Sequence, residues 1–255
     1  NKEKEIESSM REALRNGEFM PYFQPKVDCY TGRPVGAEAL VRWIKPDGEI
    51  VLPDLFIPYF EKSGFITKID MYMFGEVCRT LRKWKDEGRK PLPLSCNFSY
   101  LDIAGSNFTK YLKIMSQRHD VPPDMLELEL TESVAAQHID LVKSRGRELS
   151  DYGFRLSIDD FGSGYSSLSL LQMLEIDVLK LDRDFVQRGL LGKLSHDLVE
   201  GLVNAFKQNS MQVVFEGIET EEQLDFVKSF GCSIVQGYYY SKPLSLSEFE
   251  EKYLN

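Results

Sequence analysis

Gly36-Ala37-Glu38-Ala39-Leu40-Val41-Arg42-Trp43 reads as a buried strand of small and apolar residues, with one carboxylate in its middle and one cation near its end. An unpaired buried charge costs several kcal/mol, so Glu38 requires a partner. Arg42 is one candidate, and a metal ion held jointly with other acids is the other. Upstream, Phe19 to Val27 has strand character, and Asp28-Cys29-Tyr30-Thr31-Gly32-Arg33-Pro34 carries turn residues. The two strands are therefore expected to form an antiparallel hairpin.

Beyond Trp43 a polar loop with Pro46 and Gly48 leads to a short helix opened by Pro53 and closed by Gly64. From there helix and short apolar strand alternate. Helices are expected at Thr67 to Glu87, over much of Tyr100 to Arg118, and at His138 to Leu149, Ser166 to Leu174, Leu194 to Gln208, Glu221 to Phe230 and from Ser247. Strands are expected at Leu92 to Asn97, Met125 to Leu130, Phe154 to Ile158, Ile176 to Leu181, Met211 to Phe215 and Ser233 to Gly237. Such alternation indicates parallel βαβ units, and about eight strands favour a closed (β/α) barrel of the α/β class over an open sheet. The antiparallel start makes the barrel irregular. No GxGxxG or GxxxxGK[ST] phosphate loop occurs, which weakens nucleotide-cofactor and P-loop readings.

The 255 residues, 42% hydrophobic, suit one large domain with a full core. A formal net charge of −9 argues against a broad basic surface for duplex nucleic acid. Cys29, Cys78, Cys96 and Cys232 form no CxxC pair, which favours a reducing compartment and a cytoplasmic location. No apolar run approaches the ~18 residues of a spanning helix, so no membrane contact by this domain is expected. The three histidines, His119, His138 and His196, lie outside the strands, which disfavours a histidine-built zinc centre. The chain opens on Asn1 without methionine, so it is expected to be a domain of a longer protein.

Catalytic groups of a barrel sit where its strands end. Here the apolar runs end with, or carry near their ends, Glu38, Asn97, Glu129, Asp159 with Asp160, Lys180, Glu216 and Gln236. One strand-end acid is commonly a cap or a solvated loop residue. So many converging on one mouth would repel one another unless cations held them ionised. Carboxylate and amide oxygens without thiolate or imidazole suit hard cations such as Mg2+ or Mn2+. Adjacent Asp159 and Asp160 could serve a pair of ions, the arrangement that clamps the attacking water and leaving oxygen of a phosphodiester. Lys180 reads as a charge balancer or an orienter of water, restrained by Asp182, and Glu216 as a candidate general base. The loop Asp160-Phe161-Gly162-Ser163-Gly164-Tyr165-Ser166-Ser167 follows the acid pair, with Glu132 placed to anchor it. Glu127 shares the strand face of Glu129 but lies deeper, with no chemistry assigned.

Over essentially its whole length the sequence resembles the EAL-domain phosphodiesterases that hydrolyse cyclic di-GMP, named for the motif that stands here as Glu38-Ala39-Leu40. The resemblance rests on Gln24-Pro25, Leu52-Pro53 with Phe56-Ile57-Pro58, Asn97-Phe98-Ser99, Glu129-Leu130-Thr131-Glu132, the Asp159 to Ser167 loop, Lys180-Leu181-Asp182, Glu216-Gly217-Ile218-Glu219 and Gln236-Gly237-Tyr238, in family order. Lys26 where an apolar residue is frequent, Ser163 where threonine is common and Phe98 inside the Asn-x-Ser motif are the departures, and none removes an acid.

The resemblance implies a TIM-like (β/α)8 barrel with an antiparallel strand near the N-terminus, linearising cyclic di-GMP to pGpG with two Mg2+ or Mn2+. It puts Glu38, Asn97, Glu129 and Asp159 on one ion and Asp159 with Asp160 on the second. Lys180 would contact the catalytic water, and Glu216 would be the general base or a further metal-site acid. Gln24, Leu40, Arg42, Gln236 and Tyr238 are implied substrate contacts, with Arg42 reaching phosphate. Glu132, Gly162 and Gly164 would couple the loop to a homodimer. It further implies residues 1–17 as a linker helix before a phosphodiesterase domain at 18–255, and fusion to regulatory or cyclase domains in a parent that can itself be membrane-anchored. A catalytically silent cyclic di-GMP receptor is the alternative, and an enolase-like barrel enzyme a third class.

Overall fold

A computed structural model describes residues 2–162 and 168–254. An N-terminal helix spans Lys2–Arg15, and the strands are β1 (Phe19–Asp28), β2 (Arg33–Ile44), β3 (Ile50–Val51), β4 (Leu94–Asn97), β5 (Leu126–Thr131), β6 (Arg155–Phe161), β7 (Val178–Leu181), β8 (Gln212–Phe215) and β9 (Ile234–Val235). The sheet runs β1-β9-β8-β7-β6-β5-β4-β2-β3, and a further β1–β2 pairing closes eight of these strands into a barrel with β3 outside the ring. The expected hairpin is present: β1 runs antiparallel to β2 from Phe19↔Trp43 to Asp28↔Arg33, and also antiparallel to β9. From β2 through β4 to β9 the ring is parallel. Helices cover the outside, as crossovers between parallel strands require.

The helix Ile66–Asp86 buries Ile66, Ile69, Met73, Phe74, Val77, Leu81 and Trp84, the i, i+3, i+4 stripe that docks it on the barrel. Trp84 stacks on Phe249 of the last helix, Leu246–Tyr253, with centroids 6.0 Å apart. Its indole Nε1 donates to Glu250 at 2.8 Å, which satisfies the one polar atom of a fully buried ring. Phe19, Trp43, Phe56 and Phe60 pack edge-to-face or tilted beside β1 and β2.

Several local expectations needed correction. The helix expected over Tyr100 to Arg118 is two, Tyr100–Ala104 and Phe108–His119, because Gly105 between them is extended (φ −64, ψ 128). Short helices at Glu132–Gln137 and Arg183–Gly189 span fewer than two full turns, too few to impose a period on the sequence. Their starts were legible as caps: Thr131 and Asp182 accept from the backbone N–H groups of Val134 and Asp184. The loop after Trp43 contains β3, a two-residue strand that carries no pattern. Among the described residues no helix is long and apolar enough to cross a membrane.

Gly237, just after β9, passes so close to the chain at Ile218 that a Cβ there would lie 2.2 Å from the Ile218 carbonyl oxygen and 2.4 Å from its nitrogen. Backbone cannot yield as a side chain end can. Gly237→Ala is expected to destabilise the domain by about 3 kcal/mol, the upper part of the usual overpacking range, which urea denaturation followed by circular dichroism would measure.

Candidate active site at the barrel mouth

Strand alternation aims one residue in two at the barrel interior, and at the carboxyl ends of the parallel strands those residues are polar. Lys180 on β7, with no exposed surface, is the hub. Its Nζ lies 3.0 Å from Glu38, 2.8 Å from Glu129, 3.0 Å from Asp159 and 2.9 Å from Glu216. Asn97 Nδ2 donates to Glu38 Oε1 at 2.7 Å, and Gln236 Nε2 donates to Glu38 Oε2 at 2.7 Å and to Gln24 Oε1 at 3.2 Å. The structure thus brings together Glu38, Asn97, Glu129, Asp159, Lys180, Glu216, Gln236 and Gln24. Asp182 is the exception, since it caps the next helix and does not restrain Lys180.

Asp160 joins them through a break in the strand. The β6–β7 register shifts between Ile158 and Phe161, and Asp160 takes a left-handed conformation (φ 56). An acid at such a bulge turns out of the pleat, so two consecutive carboxylates can face one mouth. Oxygens of Asp159, Asp160 and Glu216 lie within 4.8 Å of one another, as do oxygens of Glu38, Glu129 and Asp159. Asp159 belongs to both groups, as a shared ligand of two ions would.

Burial and the neighbouring Glu129 raise the Glu38 pKa, and burial outweighs Lys180 in raising that of Glu216 well above the carboxylate range. Desolvation and Asp159 push Asp160 up to about 6. For Glu129, burial is overcome by Lys180 and Lys26, which hold it below its ordinary value. Lys180 stays charged against its own desolvation because Asp159, Glu129, Glu216 and Glu38 surround it.

Below this layer sits a pair that sequence reading passed over. Lys26, 4% exposed, reaches Glu127 at 2.8 Å and Glu129 at 2.9 Å. Gln24 and Lys26, and Glu127 and Glu129, alternate on the same strand faces, but nothing local to either strand shows that the two meet. Three cations, Lys26, Lys180 and, 3.8 Å from Glu127, Arg155, face the six acids Glu38, Glu127, Glu129, Asp159, Asp160 and Glu216. The excess of negative charge calls for cations, and the all-oxygen donor set fits hard divalent ones.

Arg42 corrects the first of its two readings. It does not pair with Glu38; it is half-buried, donates to the Val41 carbonyl at 2.9 Å and lies over the Tyr22 ring at 5.8 Å. Leu40 lies between two cavities, one of about 440 Å³ over the carboxylates and one of about 420 Å³ toward Pro53, Ile57 and Met73. Tyr238, 56% exposed, lines the first, so it is a rim residue and not barrel packing. Glu132 Oε2 accepts from the Gly162 N–H at 3.1 Å, an anchor for the start of the loop. Gly164 lies outside the described residues.

The EAL domain family model matches residues 7–243. Among curated relatives, the bifunctional diguanylate cyclase/cyclic di-GMP phosphodiesterase MucR of Pseudomonas aeruginosa is 35% identical over 92% of this chain and 34% of its own length. The cyclic di-GMP phosphodiesterase PdeR of Escherichia coli is 33% identical over 97% of this chain and 37% of its own length. The chain thus spans about a third of these relatives. The solved PaMucR phosphodiesterase in complex with c-di-GMP superposes with a TM-score of 0.88 at 33% identity, covering 96% of this chain and 99% of that one. Matched along nearly its whole length in sequence and in fold, the chain belongs to the EAL domain family.

Proposed function

We propose that this domain is a metal-dependent phosphodiesterase that hydrolyses cyclic di-GMP to linear pGpG. The observation that carries the reading is the complete set of mouth carboxylates, two overlapping groups of three joined through Asp159 around one buried lysine. Glu38, Asn97, Glu129 and Asp159 would hold one Mg2+ or Mn2+, and Asp159, Asp160 and Glu216 the other. Bound there, two such ions would activate water and stabilise the charge that develops on the phosphodiester.

The chain's own groups have separable tasks. Glu216, 16% exposed with a raised pKa, is placed to take a proton from the attacking water. The water oxygen bonds to phosphorus as the bond to the 3′ oxygen breaks, and the freed 3′ oxygen ends protonated, leaving a 5′ phosphate. Lys180 holds four carboxylates in place and lies where it could orient that water. Gln236 Oε1, buried with no partner among the described residues, is an acceptor left for a ligand group. The two cavities that share Leu40 and Asp160 give room for a ligand with a base on each side of its phosphates, with Arg42 for phosphate, the buried Gln24 lining the cavity over the carboxylates and Tyr238 on its rim.

Leu191, Leu194 and Leu198 are 82%, 74% and 61% exposed, an apolar stripe at helical spacing on and just before the helix Lys193–Gln208. It supports the expected homodimer. MucR is a bifunctional diguanylate cyclase/cyclic di-GMP phosphodiesterase, which supports fusion to such domains in the parent, with residues 1–17 as the connecting helix.

Incubation of the purified domain with cyclic di-GMP and Mg2+ or Mn2+, with pGpG followed by chromatography, tests the reading. Tight binding without product under either ion would make the domain a silent receptor. A pH dependence follows from Asp160. Protonated below about 6, it no longer offers a ligand oxygen, so binding there must release its proton. Mn2+ affinity at the second site, measured by calorimetry, is expected to fall by at least about tenfold per pH unit below about pH 6, because Glu216, whose pKa is also raised, must lose its proton as well.

A further inference from the structure

We propose that Lys26 and Glu127 form a positioning pair beneath the mouth that fixes Glu129 for one of the two cations. The inference rests on the metal reading above. Glu129 is wholly buried, and its two oxygens are committed to two different lysines. Oε1 accepts from Lys26 Nζ below at 2.9 Å, while Oε2 accepts from Lys180 above at 2.8 Å. With Oε1 pinned from beneath, Oε2 is the oxygen presented to the mouth.

Lys26 alone would be a poor anchor. An ammonium paired only with Glu129 would neutralise that carboxylate and weaken its attraction for a dication. Glu127 removes this conflict by taking the same ammonium at 2.8 Å, so that Lys26 is balanced without drawing on the charge of Glu129. Glu127 is in turn approached by Arg155 Nη1 at 3.8 Å, and Arg155 Nη2 donates to Gln212 Oε1 at 2.7 Å, which ties the pair to β6 and β8. The register partner of Lys26, Gly36, packs against the chain at Pro93, where a Cβ would lie 3.1 Å from the Pro93 carbonyl oxygen and only in ordinary contact, 3.9 Å, with Lys26 Cδ. Hydrogen-bond partners that orient a ligating carboxylate usually matter 10–100-fold in metal affinity.

The experiment titrates Mn2+ by calorimetry and electron paramagnetic resonance into the 255-residue chain and into the variants Lys26→Met and Lys26→Met/Glu127→Gln. Both variants are expected to bind Mn2+ about 10–100-fold more weakly at the Glu38/Glu129/Asp159 site, while the Asp159/Asp160/Glu216 site keeps its affinity to within a few-fold. The double variant should melt above the single one, because it leaves no buried Glu127 whose nearest remaining cation, Arg155, stands off at 3.8 Å. A double variant that is folded at the assay temperature and binds both ions like the unmodified chain would overturn the inference and leave a plain structural ion pair. Should the double variant not fold, Glu127→Gln alone decides: Lys26 then leans wholly on Glu129, and unchanged affinity at that site would overturn the inference equally. If the unmodified chain takes up no Mn2+, the metal reading itself fails and this inference falls with it, a result distinct from the others.

Discussion

Glu38→Ala is expected to lower cyclic di-GMP turnover by at least about a hundredfold, more than the loss usual for an outer partner of a metal ligand. Glu38 Oε1 accepts from Asn97, and Oε2 accepts from both Gln236 and Lys180. Alanine therefore removes one oxygen donor and leaves three polar groups without their common acceptor. Calorimetry should show one Mn2+ site lost and the other kept. Without metal the fold should survive. Burial and Glu129 raise the Glu38 pKa, so its folded value lies above the unfolded one and its ionised form opposes folding at neutral pH. The melting temperature in EDTA should thus fall little or rise. Turnover and Mn2+ stoichiometry equal to the unmodified chain would refute the ligand role of Glu38.

Lys180→Met carries the largest expected effect on stability. The side chain has no exposed surface and lies within 3.0 Å of four carboxylates. Removing one partner of a buried ion pair costs about 3–5 kcal/mol because the remaining charge is stranded, and here several remain. In EDTA the variant should melt far below the unmodified chain. Mn2+ supplies the same positive charge, and an ion present at about a hundred times its dissociation constant returns about 2.7 kcal/mol. Most of the lost melting temperature should return with Mn2+, although turnover should not. A variant as stable in EDTA as the unmodified chain would show that Lys180 does not carry the charge balance of the mouth.

The barrel was legible because its strands are short apolar runs that end on polar residues, separated by helix-length segments with a 3.6-residue stripe. The long helix Ile66–Asp86 was placed to within one residue at each end for that reason. Elements without a period were missed: the two-residue β3 and the helices Glu132–Gln137 and Arg183–Gly189. The mouth carboxylates were visible one by one at strand ends, and the bulge at Asp160 was foreseeable from two adjacent acids that both needed to face inward. Lys26 was not, because a lysine on a strand is ordinarily solvated. Its burial depends on Glu127 across the barrel, a contact between residues 101 positions apart that no local pattern displays. Arg42 was one candidate partner for Glu38 on proximity along one strand, yet the two side chains do not meet.

The antiparallel first strand also governs the order in which the molecule can be made. The ring closes only when Val27 pairs with Val235 and Asp28 with Ile234. During synthesis β1 and β2 can form their hairpin early, but one edge of β1 must wait for nearly the whole chain. An open strand edge is a template for mispairing, and contacts this distant in sequence form slowly. Lys26 sits on that waiting strand, and its acidic partners Glu127 and Glu129 arrive about a hundred residues later on β5. Until then that ammonium has to stay hydrated, because neither of the carboxylates that receive it in the finished barrel has yet been made.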